Sequence, residues 1–315
     1  DGTLSWFSPL GWAQQTKPFW ENHWWALLPP LAATGITLGL AFWQLARRDI
    51  GSGLIQPRPG PPAASPSLLH PLGFSLWLQR GTIIGWSSML FLYGFAIGVM
   101  GNNIEDILKS STAFTEAFAS ASGDLVDSYF ASILTVIAIM AAGFTISSAL
   151  RPHSEESRDR VAILLAAPLG KVRWVAGHVL IAYVASAMIM ALTGLGLGLG
   201  LGVATGDFSE TGTLLGSGFA QVPAMWLTGS LAVLLFGISS RLSSLAWAFL
   251  AAFVLIWTVA SFGELPQWIV DLSPFSHVPA VPAVSLDVEP LLVMTLLAAV
   301  FTATGLALWR RRDLQ

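Results

Sequence analysis

Residues 151–178 (RPHSEESRDRVAILLAAPLGKVRWVAGH) are where this chain concentrates groups able to do polar work, with five basic and three acidic side chains. Glu155, Glu156, Arg158, Asp159 and Arg160 crowd its first half, and Val161, Leu164, Leu165 and Pro168 continue an apolar stripe behind them. Acids early and bases late suit a helix macrodipole, and Pro168-Leu169-Gly170 supplies a stop. The spacing predicts an amphipathic helix over 155–169 whose charged end a protein partner could grip. A surface helix without a partner is the alternative.

Enzymatic patterns are missing. Gly170-Lys171 runs into Val172 and lacks a leading glycine, so there is no P-loop for nucleotide. Neither H-E-x-x-H nor G-x-S-x-G occurs, which argues against a metalloprotease or a serine lipase. Histidines 23, 70, 153, 178 and 277 never fall at helical ligand spacing, and the absence of cysteine removes disulfides and thiolate metal sites. No metal or cofactor is expected on this chain. His178 reads as an interfacial residue at the inner boundary of a span.

The elements that carry these residues are membrane helices. Of 315 residues 54% are apolar and 10% charged, with a mean hydropathy of +0.67; soluble domains carry about 25% charged residues. Spans need roughly 20 mostly apolar residues, and seven stretches qualify: 25–46, 82–100, 128–150, 174–204, 222–240, 242–262 and 290–309. Connectors 46–80, 150–178, Arg241 and the C-terminus together hold 13 of the 15 Lys and Arg residues. The positive-inside rule then sets residue 1 outside and residue 315 inside. No Asp, Glu, Lys or Arg lies deep in a span, so an ion-driven transporter, which must bind its coupling ion there, is disfavoured.

Two stretches echo each other. Ser8-Pro9 leads to Gly39-Leu40-Ala41-Phe42-Trp43 and Arg47-Arg48-Asp49; Ser273-Pro274 leads to Gly305-Leu306-Ala307-Leu308-Trp309 and Arg311-Arg312-Asp313. This predicts the tail of one six-span repeat in residues 1–50 followed by a whole second repeat in 72–315, with further spans ahead of residue 1. Residues 51–71 form a Pro-rich linker, extended and mobile. Leu72, Leu76 and Trp77 mark 72–80 as an elbow helix on the membrane surface or as the first turns of the next span. One or two short amphipathic helices are expected in 101–127. Segment 263–289, with Trp268 and Phe275, reads as an external re-entrant hairpin, either an aromatic belt or a substrate gate.

Within the spans, Ser132, Thr135, Thr145, Ser147 and Ser148 give the third a line of hydroxyls. They could line a pathway, or bond neighbouring helices and their own i−4 carbonyls. In the fourth span, Gly194, Gly198 and Gly202 share a face that allows close helix approach.

Several motifs together resemble the permeases of ABC-2-type exporters, in the actinobacterial polyketide-antibiotic and multidrug group. They are S-P-L-G-W-A-Q-Q-T-x-P-F from Ser8, R-R-D-x-G-x-G-L from Arg47, L-Q-R-G from Leu78, E-E-S…L-L-A-x-P-x-x-x-x-R-W from Glu155 and L-S-P-F-x-H-x-P from Leu272. The resemblance spans essentially the whole chain. It implies an all-α, type V exporter-like transmembrane domain in a bacterial plasma membrane. It also implies two partner ATPase subunits that carry ATP and Mg2+, a first six-span repeat as the other half, and a hydrophobic or amphiphilic cargo. Nucleic acid has no place in it. Residues 155–169 become the coupling helix, with Glu155, Glu156, Arg158, Asp159, Arg160, Leu164, Leu165 and Pro168 facing the ATPase. Ser132, Thr135, Ile139, Trp257, Thr258 and Ser261 become pathway residues, and Trp268 and Phe275 an external gate. The family has Gly where Asp159 stands and Glu where Ala162 stands, which implies a weakened grip by this half. A lipid exporter, or a scaffold or sensor that moves nothing, is the alternative function.

Overall fold

The computed structural model describes residues 6, 8–17, 21–47, 63, 65–110, 125–156, 170–263 and 265–312, with backbone alone at 69, 102–110 and 262. Seven helices among them are long and apolar enough to cross a membrane: Trp24–Arg47, Pro71–Gly101, Leu125–Ala149, Lys171–Thr205, Thr211–Ile238, Ser240–Ser261 and Val288–Arg311. We number these spans in chain order. The described residues contain no strand. The chain divides into two units, residues 1–63 and 64–315.

In the smaller unit, Pro9 occupies the first turn of a short helix, Pro9–Gln14, where its missing N–H costs nothing. Trp6 stacks on Trp25 with ring centroids 5.4 Å apart, and Lys17 pairs with Glu21 at 2.9 Å. The helix Leu28–Arg47 of the first span buries none of its residues.

In the larger unit, the third, fourth and fifth spans form the interior, while the second, sixth and seventh leave most of their surface outward. Lipid is as apolar as a leucine face, so association between spans depends on close packing rather than on removal of apolar area from water. Glycine supplies that closeness. A Cβ at Gly196 or Gly200 would overlap the carbonyl oxygen of Phe91 or Phe95 in the second span. One at Gly94 or Gly98 would strike Thr193 or Leu197 in return. The expected face of Gly194, Gly198 and Gly202 meets Leu214, Thr211 and Phe208 around the start of the fifth span. The alternating glycines therefore serve two opposite neighbours, not one. Gly237 and Gly305 make a similar crossing between the fifth and seventh spans.

Two sequence expectations meet a different arrangement. Residues 72–80 are the first turns of one helix running Pro71–Ser110, with no break that would free an elbow. At 40 residues it is roughly 60 Å long, well beyond the bilayer core. The fifth span begins before residue 222: Thr211–Ala220 and Val222–Ile238 meet at Gln221. Pro223 lies in the first turn of the second piece, and without an N–H it cannot continue the hydrogen-bond ladder of the first. The linker at 51–62, and residues 111–124 of the expected amphipathic helices, lie outside the described residues.

Candidate functional site

A cavity of about 280 Å³ opens where the third and sixth spans meet segment 270–280. Ala131, Ser132 and Thr135 line it from the third span, and Ile256, Trp257, Ala260 and Ser261 from the sixth. Ser273, Phe275, Ser276 and Val278 close it from the segment after Val270. Helical periodicity brings 131, 132 and 135 to one side of one helix and 257, 260 and 261 to one side of another. Phe275 is buried and edge-on to Phe253 at 6.3 Å.

The hydroxyls have a definite polarity. Thr135 donates to the carbonyl of Ala131 at 3.0 Å, Ser261 to that of Trp257 at 2.8 Å, and Ser276 to that of Ser273 at 2.7 Å. With their protons spent on backbone, what they offer a guest is lone pairs. Thr135 already accepts from the Gln221 amide at 3.1 Å. The Ser273 hydroxyl is buried and has no hydrogen-bond partner. Among the described residues, no charged side chain lines the cavity. It suits an uncharged surface bearing O–H or N–H donors, with Trp257 and Phe275 for its apolar parts.

Of the residues singled out in the sequence, Ser132, Thr135, Trp257, Ser261 and Phe275 converge here. Ile139 packs in the buried core one turn further along the third span. Thr258 is exposed and donates to the Val254 carbonyl at 2.8 Å. Trp268 is exposed and outside the lining. Gln221 and Ser273 escaped the sequence reading, although an amide inside an apolar run ahead of Pro223 was a usable signal.

A larger cavity, about 550 Å³, lies between the fifth, sixth and seventh spans. Leu272, Pro274 and His277 face it, whereas Ser273, Phe275 and Ser276 face the smaller one. Segment 271–277 thus separates the two.

At the Arg-rich end, two polar clusters involve residues just before and just after positions 157–169 in the chain. In the first, His178 is fully buried, not interfacial as its position near a span boundary suggested. Its Nδ1 lies 3.0 Å from the Gln79 amide nitrogen and its Nε2 3.3 Å from Ser75 Oγ. The Gln79 amide can only donate, so Nδ1 accepts and Nε2 carries the proton toward Ser75. Ser148 donates to the Gln79 carbonyl oxygen, so the second, third and fourth spans are tied at one point. The ring stands edge-on to Trp174 at 5.7 Å.

In the second cluster, Arg151–Glu156 forms a short helix after the third span. Glu155 is buried, with Arg151 at 3.7 Å. Glu156 accepts from Ser240 at 2.6 Å and from Arg312. The charged end expected to face a partner therefore begins with two carboxylates turned into the protein. Arg158, Asp159, Arg160, Leu164, Leu165 and Pro168 lie outside the described residues. Among the described residues no group of three or more His, Asp or Glu side chains could hold a metal.

Residues 68–310 match the family model described as "Multidrug efflux system permease Rv1217c, C-terminal domain". The chain is also 36% identical over 317 residues to the multidrug efflux system permease protein Rv1217c of Mycobacterium tuberculosis (strain ATCC 25618 / H37Rv). That alignment covers 100% of this chain and 58% of the relative, so the chain spans somewhat over half of the relative's length. Seven apolar spans and this relationship make it a multi-pass protein of the bacterial plasma membrane. The chain belongs to the Rv1217c-type multidrug efflux permeases, of ABC-2 type.

Proposed function

We propose that this chain is the second half of a permease that exports amphiphilic compounds, driven by a separate ATPase. The observation that carries this reading is the uncharged cavity between the third and sixth spans. It combines apolar rings with hydroxyl acceptors and offers no carboxylate or amine to bind a coupling ion. A cavity lined this way fits energy supplied from outside the chain. The charged segment 155–169 is the element suited to receive it, on the Arg-rich side that the positive-inside rule places in the cytoplasm. ATP and Mg2+ would sit on two copies of the partner ATPase, and a first six-span repeat would complete the pathway. Binding of cargo uses the acceptors of Thr135 and Ser261, the free hydroxyl of Ser273 and the faces of Trp257 and Phe275. ATPase closure then moves the spans and changes access to the cavity.

The test is ATP-dependent accumulation of N-phenyl-1-naphthylamine, an uncharged fluorescent amphiphile with one N–H donor, by inverted vesicles holding the full-length permease and its ATPase. Trp257→Ala should raise the concentration for half-maximal uptake roughly tenfold, as expected when a large apolar contact is removed from a ligand. Uptake that needs no ATP, or that ignores both Trp257→Ala and Phe275→Ala, would overturn the reading.

A further inference from the structure

Glu156 lies at the start of segment 155–169, which the proposed coupling role concerns, and its carboxylate is engaged inside the protein. One oxygen accepts from Ser240 Oγ at 2.6 Å, the other from Arg312 Nη2. The same Nη2 donates to Ser240 Oγ at 2.9 Å, and Nη1 to the Phe236 carbonyl at 2.8 Å. Phe236 is in the last turn of Val222–Ile238, where helix carbonyls lack partners of their own, so the guanidinium also caps that helix. Its Cζ sits 4.3 Å from the Trp309 ring and 5.1 Å from Phe236, and those rings stack at 4.7 Å. Arg312 and Glu156 side chains are only 18% and 19% exposed. Charge-assisted bonds in so shielded a place are stronger than the same pair in water.

We propose that Arg312 is a positioning residue that carries movement of segment 155–169 to the foot of the sixth span. The clasp joins four elements: the helix after the third span, the end of the fifth, the start of the sixth and the end of the seventh. Ser240 is the first residue of the sixth span, Ser240–Ser261, and Trp257 and Ser261 near its other end line the smaller cavity. Ser240 opens the 3-10 turn Ser240–Ser244, which runs directly into the 18-residue α-helix Leu245–Phe262; that helix is a rod of roughly 27 Å, so displacement of the turn at its foot reorients Trp257. The seventh span moves with it, because Gly305 and Gly237 let its backbone seat against the fifth. The proposal rests on the reading that 155–169 receives the ATPase's motion.

A clasp that is only a static cap would, once broken, lower thermal stability and leave transport per ATP unchanged. A transmitting clasp lowers transport per ATP. The experiment uses the full-length permease with its ATPase in inverted vesicles and measures N-phenyl-1-naphthylamine accumulation and ATP hydrolysis together. Arg312→Gln and Glu156→Gln should each cut dye moved per ATP by roughly tenfold, within the range of energetic coupling between sites, while ATPase binding persists. Arg312→Lys should rescue part of the loss, and Glu156→Arg combined with Arg312→Glu should exceed either reversal alone. Where Arg312→Gln fails to accumulate, Ser240→Ala keeps the ion pair, removes the bridging hydroxyl and should show a smaller fall in the same ratio. An unchanged ratio in these variants, whatever their melting temperature, overturns the proposal. Wild-type complex that neither moves dye nor hydrolyses ATP in response to it would instead sink the export reading, and the proposal with it.

Discussion

Trp43 and Trp309 lie near the ends of two helices that share the stretch Gly-Leu-Ala-x-Trp, yet Trp43 is 52% exposed and Trp309 1%. The local contact is shared: Arg47 sits 4.4 Å over the Trp43 ring and Arg312 4.3 Å over that of Trp309. Both follow from a basic residue three or four positions after an indole on a helix. What differs is the company. Gly305 meets the backbone of Val233, whereas Gly39 has nothing within contact distance. Trp309 stacks on Phe236, and its arginine reaches Glu156 and Ser240. A repeated motif therefore encodes a helix end and an Arg-on-Trp contact; burial depends on whether a partner helix is present.

The largest effect expected on this comparison comes from Gly305→Leu. Its side chain would have to occupy the space of the Val233 carbonyl, so the fifth and seventh spans separate and folded yield in detergent should collapse. Trp309→Ala should cost about 3–5 kcal/mol, the usual range for emptying a buried aromatic site, read as a fall in thermal unfolding temperature. Gly39→Leu sharpens the comparison most. If the first span ends a repeat as the seventh does, this change should destabilise the full-length permease nearly as much as Gly305→Leu. A neutral Gly39→Leu in that protein would break the repeat.

Smaller effects should come from the polar ties. Gln79→Leu strands the buried His178 nitrogen and should cost about 1–3 kcal/mol, the penalty for an unsatisfied buried group. Thr135→Val removes one bond to Gln221 and should cost only about 0.6 kcal/mol, the average for such bonds between membrane helices. Its clearer readout is a changed preference among dyes differing in hydrogen-bond donors.

Legibility in the sequence followed the range of the interactions. Seven apolar stretches became seven spans because length and hydropathy are local properties. The hydroxyl lines of the third and sixth spans were visible too, since 3.6-residue periodicity sets which of them share a face. His178 was misjudged because its partners, Ser75 and Gln79, are 103 and 99 positions away. Gln221 was missed for a similar reason, its bond to Thr135 spanning 86 positions.

By itself, then, the sequence determined a multi-pass helical protein without charge deep in its spans and with one dense island of charge at 151–178. Bilayer thickness and the cost of buried charge leave little freedom in that reading. Tertiary structure alone decided which surfaces each glycine face meets, that Thr135 and Ser273 share one cavity, and that Glu156 turns inward to Arg312, 156 positions away. Those outcomes require two helices to approach within contact distance. No residue pattern on either helix specifies that approach without the other.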